Sequence, residues 1–462
     1  MARHRMCTLI LASVFSIAAA TDRAVISGRV VDSAGRPVQN ASVIVYAAGV
    51  RVGYSTFCPT CYTDCGKRAF TSDVGEYRIA SLDPALRFQL LVVREGYEPQ
   101  FLMKVDPAAG RTPDAVLLPR PPVSEAARIL HGKVVDTAGA PLRDALVRPE
   151  AIASHFEAGR YRYDESPRDA DRLVVTNGKG EFDIYFARPV AAMTVMVEAR
   201  GMAPKRFADL PTDVAGNTLK VADGALVRGR LLDRDRPVAG AEIILSHRNQ
   251  MAGYEFSEIR IGTREDGTFL IPNVPPHEDW YLSAAMQSIA NRGAVSPRKL
   301  ASAGDGEEVD AGDLQMRPGL HLRGRVQLTD GKTIPAGISV RISQYCFYCG
   351  EEMAIHEPSG ATVFLRNYQL HDFQTVPLLP DGRFEFQGLP AGPYTVITAI
   401  PGYELEPPYN VLKPLDIKPD EEPQWSAEAE SAATELKREA ATEIRIDKNL
   451  DLAVKLHPAP AR

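Results

Sequence analysis

Five of the chain's six cysteines stand in two short clusters: Cys58-Pro59-Thr60-Cys61 with Cys65 close behind, and Cys346-Phe347-Tyr348-Cys349. The Cys-x-x-Cys spacing suits a local disulfide, half of a four-sulfur metal site, or a redox-active thiol pair. A complete metal site would have to recruit both clusters, Cys58, Cys61 and Cys65 together with Cys346 and Cys349, from opposite ends of the chain. Haem attachment is disfavoured, because Tyr62 and Gly350 occupy the positions where a c-type site needs His.

The compartment ranks these chemistries. Arg3 and Arg5 precede an apolar run from Cys7 to Ala20 that ends in Ala18, Ala19 and Ala20, the layout of a secretory signal with small residues at the cut. The run is too short to span a bilayer comfortably, so a mature chain starting near Thr21 and not inserted in a membrane is expected. Exported proteins are oxidised, which puts disulfides first: Cys346 with Cys349, and two of Cys58, Cys61 and Cys65. The formal charge of −6 gives no electrostatic case for nucleic acid.

Other chemistry-bearing patterns are sparse. None of the nine histidines forms His-Glu-x-x-His, and neither a Gly-x-Ser-x-Gly elbow nor a phosphate-binding Gly-x-x-x-x-Gly-Lys loop occurs. The expectation is a protein that is not an enzyme and uses no cofactor. Ligand contact would fall to exposed aromatic faces. With only two Trp in the chain, the candidates are Tyr161, Tyr163, Tyr345, Phe347 and Tyr348.

The elements that must position these residues repeat. Gly28-Arg29-Val30-Val31-Asp32 through Val43 returns as Gly132-Lys133-Val134-Val135-Asp136 through Val147, then more loosely from Gly229 and from Gly324. Each head reads as strand, Asp-x-x-Gly-type turn and a Pro-led second strand. Each is followed by a turn glycine and, two residues later, an aromatic: Gly75 and Tyr77, Gly180 and Phe182, Gly267 and Phe269, Gly382 and Phe384. Alternation around those aromatics predicts a half-buried strand, with the aromatic turned to a core. A third element, Leu389-Pro390-Ala391-Gly392-Pro393-Tyr394 ending in Gly402-Tyr403-Glu404, is echoed in the first copy by Gly96-Tyr97-Glu98. Repeats of this length are whole domains. With 35 Gly, 35 Pro and 45% hydrophobic residues, the chain is turn-rich yet able to build cores.

These head, turn-Gly-aromatic and Pro-Gly-Tyr elements resemble the carboxypeptidase regulatory-like domain. The resemblance implies an all-β chain of four tandem antiparallel Greek-key β-sandwiches of transthyretin-like form after the signal peptide. The expected divisions are a signal at 1–20, sandwiches at 24–119, 128–224, 225–317 and 318–458, and a Pro-rich linker at 120–127. The Ala, Glu and Lys-rich stretch at 426–440 predicts a helical insertion in the last sandwich. The interval between the second head strand and the turn glycine varies from copy to copy, and it holds the cysteines and candidate aromatics. The functional expectation is an exported, secreted, periplasmic or cell-surface protein binding a glycan, a peptide or a cell-envelope protein. The alternatives are an accessory subunit of a secreted peptidase or outer-membrane transport system, and a metal or thiol-redox protein acting through the cysteine loops.

Overall fold

The computed structural model describes residues 23–51, 58–60, 62–120, 128–157, 160–165, 170–212, 214, 216–249, 255–300, 303–344, 353–356, 362–365, 372–405 and 440–459. The expected signal, the linker beyond Arg120 and the helical insertion before Ala440, like Cys61, Tyr345, Cys346, Phe347, Tyr348 and Cys349, lie outside them. The described residues up to Arg120, without Cys58–Thr60, form one compact unit, and those from Arg128 onward form another that also claims Cys58–Thr60.

The first unit is a sandwich of seven strands: β1 (Ala24–Asp32), β2 (Ser42–Val50), β3 (Arg68–Phe70), β4 (Glu76–Leu82), β5 (Leu86–Val93), β6 (Gln100–Val105) and β7 (Ala115–Leu117). One sheet has the order β4-β1-β7 and the other β3-β2-β5-β6. β4 therefore crosses from beside β3 in sequence to pair with β1, the crossover of a Greek key. Alternate residues of both sheets, among them Ile26, Val30, Val43, Val45, Tyr77, Phe88 and Leu90, meet in one core.

The second unit repeats the plan three times. Head strands Ile129–Val135, Ala225–Asp233 and Leu320–Leu328 pair with Glu181–Tyr185, Thr268–Val274 and Arg383–Leu389, as β1 pairs with β4. Each repeat closes around its own apolar cluster. One pair in every sandwich departs from the antiparallel rule, because the last strand returns beside the first and runs parallel to it: β7 on β1, Asn217–Lys220 on Ile129–Val135, Glu308–Met316 on Ala225–Asp233, and Leu450–Pro458 on Leu320–Leu328.

The repeated sequence signature has a steric cause. Head and turn elements are brought into register so that Gly28 faces Tyr77, Gly132 faces Phe182, Gly229 faces Phe269 and Gly324 faces Phe384. The aromatic ring lies across the bare glycine. A Cβ at Gly132 would stand 2.2 Å from the Phe182 ring, and one at Gly324 would stand 1.9 Å from that of Phe384. The turn glycine is needed for a different reason: Gly75, Gly180, Gly267 and Gly382 all have φ between +74° and +83°, a conformation L side chains resist.

A second repeated device appears four residues before the turn glycine. Buried Thr71, Thr176 and Thr263 each accept a hydrogen bond from a backbone amide, of Ala41, Ala145 and Ala241. Each hydroxyl donates in turn to a carbonyl, of Val38, Leu142 and Val238. The hydroxyl thus satisfies two buried backbone groups where the second strand begins. In the fourth copy Leu378 takes this position and joins the core instead.

Candidate functional site

The cysteine segment of the first sandwich lies between β2 and β3. Cys65 does not stand on an open loop: its thiol is buried at 3% exposure and packs into the sandwich core with partly buried Tyr62 beside it. Cys58 is half-buried and lies 3.7 Å from the Thr60 hydroxyl. Among the described residues, no group of three or more His, Cys, Asp or Glu gathers as a metal site would.

The organiser of this segment is Asp64, which sequence reasoning passed over. Its carboxylate is 1% exposed and accepts from Lys67 Nζ at 2.6 Å, Arg23 Nη2 at 3.0 Å and the Asp83 amide at 2.7 Å. Burial pushes its pKa up, but the Lys67 hydrogen bond, the Asp83 amide and the charges of Lys67 and Arg23 outweigh that and hold it below the usual range. Lys67 also donates to the Ser81 carbonyl, so the loop is tied to β4 as well. The sequence offered one faint signal, a lone acid between two cysteines and ahead of Gly66-Lys67.

In the second and third sandwiches the variable interval folds as a hairpin that extends the second sheet. Leu146–Glu157 pairs with Arg160–Glu165, and Glu242–Asn249 pairs with Glu255–Gly262. In the fourth, Met353–His356 and Thr362–Leu365 form a separate two-stranded ladder. Tyr161 and Tyr163 fall on the returning strand of the second sandwich's hairpin, opposite Phe156 and Ala153, with register shifts on either side of Tyr163.

Trp280 is no sugar platform. It is 3% exposed in the core of the third sandwich, with its indole N–H donating to the Pro275 carbonyl at 3.1 Å and the His247 ring 5.3 Å away. His247 is held by the Asp279 carbonyl at 2.9 Å and by Glu278. The outer faces of the head strands carry exposed ion pairs, such as Arg230 on Asp313 at 3.0 Å and Arg228 between Glu308 and Asp310. Pairs this exposed add solubility more than stability. No helix among the described residues is long and apolar enough to cross a membrane.

No curated protein matches the chain. Among solved structures, the Bacillus anthracis TIE protein aligns over 91% of this chain and 68% of its own at 11% identity and a TM-score of 0.17. A streptococcal ancillary pilin aligns over 72% of this chain and all of its own, 100%, at 14% identity and a TM-score of 0.20. GBS52, a minor pilin of Streptococcus agalactiae, aligns over 52% and 98% at 14% identity and a TM-score of 0.22. At such scores the description of the fold rests on the chain's own sheets and register. One family does match, and it is the one the head, turn and Gly-Tyr motifs resemble: residues 25–117, the first sandwich, match the carboxypeptidase regulatory-like domain.

Proposed function

We propose that the chain is an exported, non-enzymatic binding or spacing protein that uses a string of carboxypeptidase regulatory-like sandwiches to hold variable β-hairpins toward a partner. The carrying observation is the contrast between scaffold and interval. The glycine-aromatic pair recurs in all four sandwiches, whereas the segment between second head strand and turn glycine differs in length and form in each. Binding proteins of this kind keep a stiff frame and vary what it displays.

The partner class favoured by an aromatic-bearing hairpin is a glycan or a peptide, with a cell-envelope protein as the larger version of the same contact. A Cys346–Cys349 bridge and one between two of Cys58, Cys61 and Cys65 fit this reading as local ties. The test is an array of glycans and peptides probed with the mature protein and with Tyr161→Ala/Tyr163→Ala. Binding that falls at least tenfold in the double variant supports the hairpin, and binding untouched by it removes the hairpin from the function. Recovery of turnover on a peptide or glycan ester would overturn the non-enzymatic reading.

A further inference from the structure

The short helix α1 (Met286–Ile289) belongs in sequence to the third sandwich, yet its two buried residues serve different cores. Ile289 packs in the third, and Met286, 1% exposed, packs in the fourth with Leu322, Phe386 and Tyr394. The fourth sandwich grips this plug by its backbone. The Met286 amide donates to Asp372 Oδ1 at 3.1 Å and Oδ2 at 2.9 Å, while Gln374 Nε2 donates to the Met286 carbonyl at 3.2 Å and the Gln387 carbonyl at 2.8 Å. Gln287 Oε1 accepts from the Thr375 amide at 2.7 Å. The backbones are so close that a Cβ on Gly388 would stand 2.4 Å from the Ala290 carbonyl oxygen.

Among the described residues, the charges at this junction do not balance. Asp372 is 2% exposed. The cation acting on it is Arg260, which is itself paired with Glu242 at 3.0 Å on the neighbouring strand of the third sandwich. Two carboxylates therefore share one guanidinium. The other described groups around Asp372 do not make up the difference: Tyr394 stays neutral with a pKa raised by burial, α1 offers only its amide, and Arg341 lies over the ring of Phe373 at 4.3 Å. The chain neighbour His371 lies outside the described residues. Burying an under-compensated carboxylate is costly, and protonation is the route by which such a group relieves the cost.

We propose that the junction of the third and fourth sandwiches is an acid-tightened latch, closed on the Met286 plug when the Asp372 carboxyl is uncharged and loosened when it ionises. Burial raises the Asp372 pKa from 3.8 to about 7, against the opposing pull of the Met286 amide and Arg260. In the opened junction the group returns to its ordinary value, so the closed form holds the proton more tightly. The stabilisation is fully present below the opened-state pKa and is lost as pH rises through the closed-state one. Between those values the closing equilibrium weakens about tenfold per pH unit, roughly a thousandfold in all.

The test is amide hydrogen exchange of the full chain by mass spectrometry between pH 5 and 8, corrected for intrinsic rates and read on peptides covering Ala285–Gly293 and Asp372–Pro377. Wild type is expected to lose protection there progressively as pH rises, while β1 does not change. Asp372→Asn should abolish the slope. A flat wild-type profile, or a slope that persists in Asp372→Asn, overturns the latch. Should Asp372→Asn not fold, Glu242→Gln decides: freeing Arg260 for Asp372 should shift the loss of protection to lower pH and shrink it, and an unchanged profile refutes the proposal.

Discussion

Replacing Gly229 by Ala tests the claim that each sandwich is keyed by an aromatic ring lying on a bare glycine. The new methyl carbon would stand 2.4 Å from Cζ of Phe269 and 3.0 Å from the Gly312 carbonyl oxygen. Phe269 is 2% exposed, so its ring cannot swing into solvent without emptying its place in the core. Forcing an extra carbon into such a site costs about 1–3 kcal/mol, offset by the 0.5–1 kcal/mol or so that Ala gains over Gly in a strand. A net loss of about 1–2 kcal/mol is expected. Trp280 lies in the same core and reports it, once Trp425→Phe removes the other indole. Urea unfolding followed by Trp280 fluorescence should show a midpoint lower by about 1–2 M, for a slope near 1 kcal/mol/M. The decisive variant is Gly229→Ala combined with Phe269→Ala. Phe269→Ala alone should cost about 3–5 kcal/mol, and adding the alanine should then cost far less than it does in wild type, because the ring is gone and only the 3.0 Å approach to the Gly312 carbonyl oxygen remains. Additive losses in the double variant would refute the ring-on-glycine account.

Thr263→Val should leave the Ala241 amide and Val238 carbonyl buried without their hydroxyl, costing about 2 kcal/mol or more on the same Trp280 signal, while Thr263→Ser should retain most of the stability. Asp64 has a folded-state pKa below its ordinary value, so its contribution is present above the unfolded pKa and is lost as pH falls through the folded one. Amide exchange across β1 and β3 should therefore accelerate in acid for wild type. Asp64→Asn should already exchange faster at pH 7 and respond less to acid, and an Asn variant indistinguishable from wild type at pH 7 would remove Asp64 from its organising role. A broad-specificity protease should cut first between Arg120 and Ala127, and early cleavage inside β1 would contradict that boundary. Mass mapping under oxidising conditions should find Cys346 bridged to Cys349, and five free thiols would favour the redox or metal reading.

The sandwich plan was legible because its local devices are written in residue types. An acid or Asn before glycine makes a turn, glycine followed two residues later by an aromatic marks a strand, and alternation gives the buried face; Tyr77, Phe182, Phe269 and Phe384 are all buried as that pattern requires. Strand order was not legible in the same way. Nothing in the alternation of Ala115–Leu117 or Leu450–Pro458 tells that these strands return parallel to their heads, since periodicity fixes which face is buried and not which neighbour is paired. Thr71, Thr176 and Thr263 could be seen to recur, but their two-way hydrogen bonds depend on a strand start some twenty to thirty residues earlier. The cysteines gave a spacing without a depth. That Cys65 belongs to the core follows from the loop turning inward at Asp64, and a lone acid carries no mark of the cations it will meet.

The same distinction separates repeat from junction. A residue that recurs in every copy can only do what every copy needs, which is to fold one sandwich. Met286, Asp372 and Gln374 recur nowhere, because what they do concerns two particular sandwiches and not one generic one. A methionine suits the plug: its unbranched, adaptable side chain fills a core built by other strands, with Sδ reaching within 3.8 Å of the Tyr394 hydroxyl. Gln374 suits the grip, since one neutral amide satisfies two buried carbonyls at no charge cost. Asparagine at position 372 could receive the Met286 amide on its one carbonyl oxygen, without the burden of a buried charge. The carboxyl adds one property the amide lacks, a proton that can leave, and pH is therefore the variable on which this junction can depend while the sandwiches on either side of it do not.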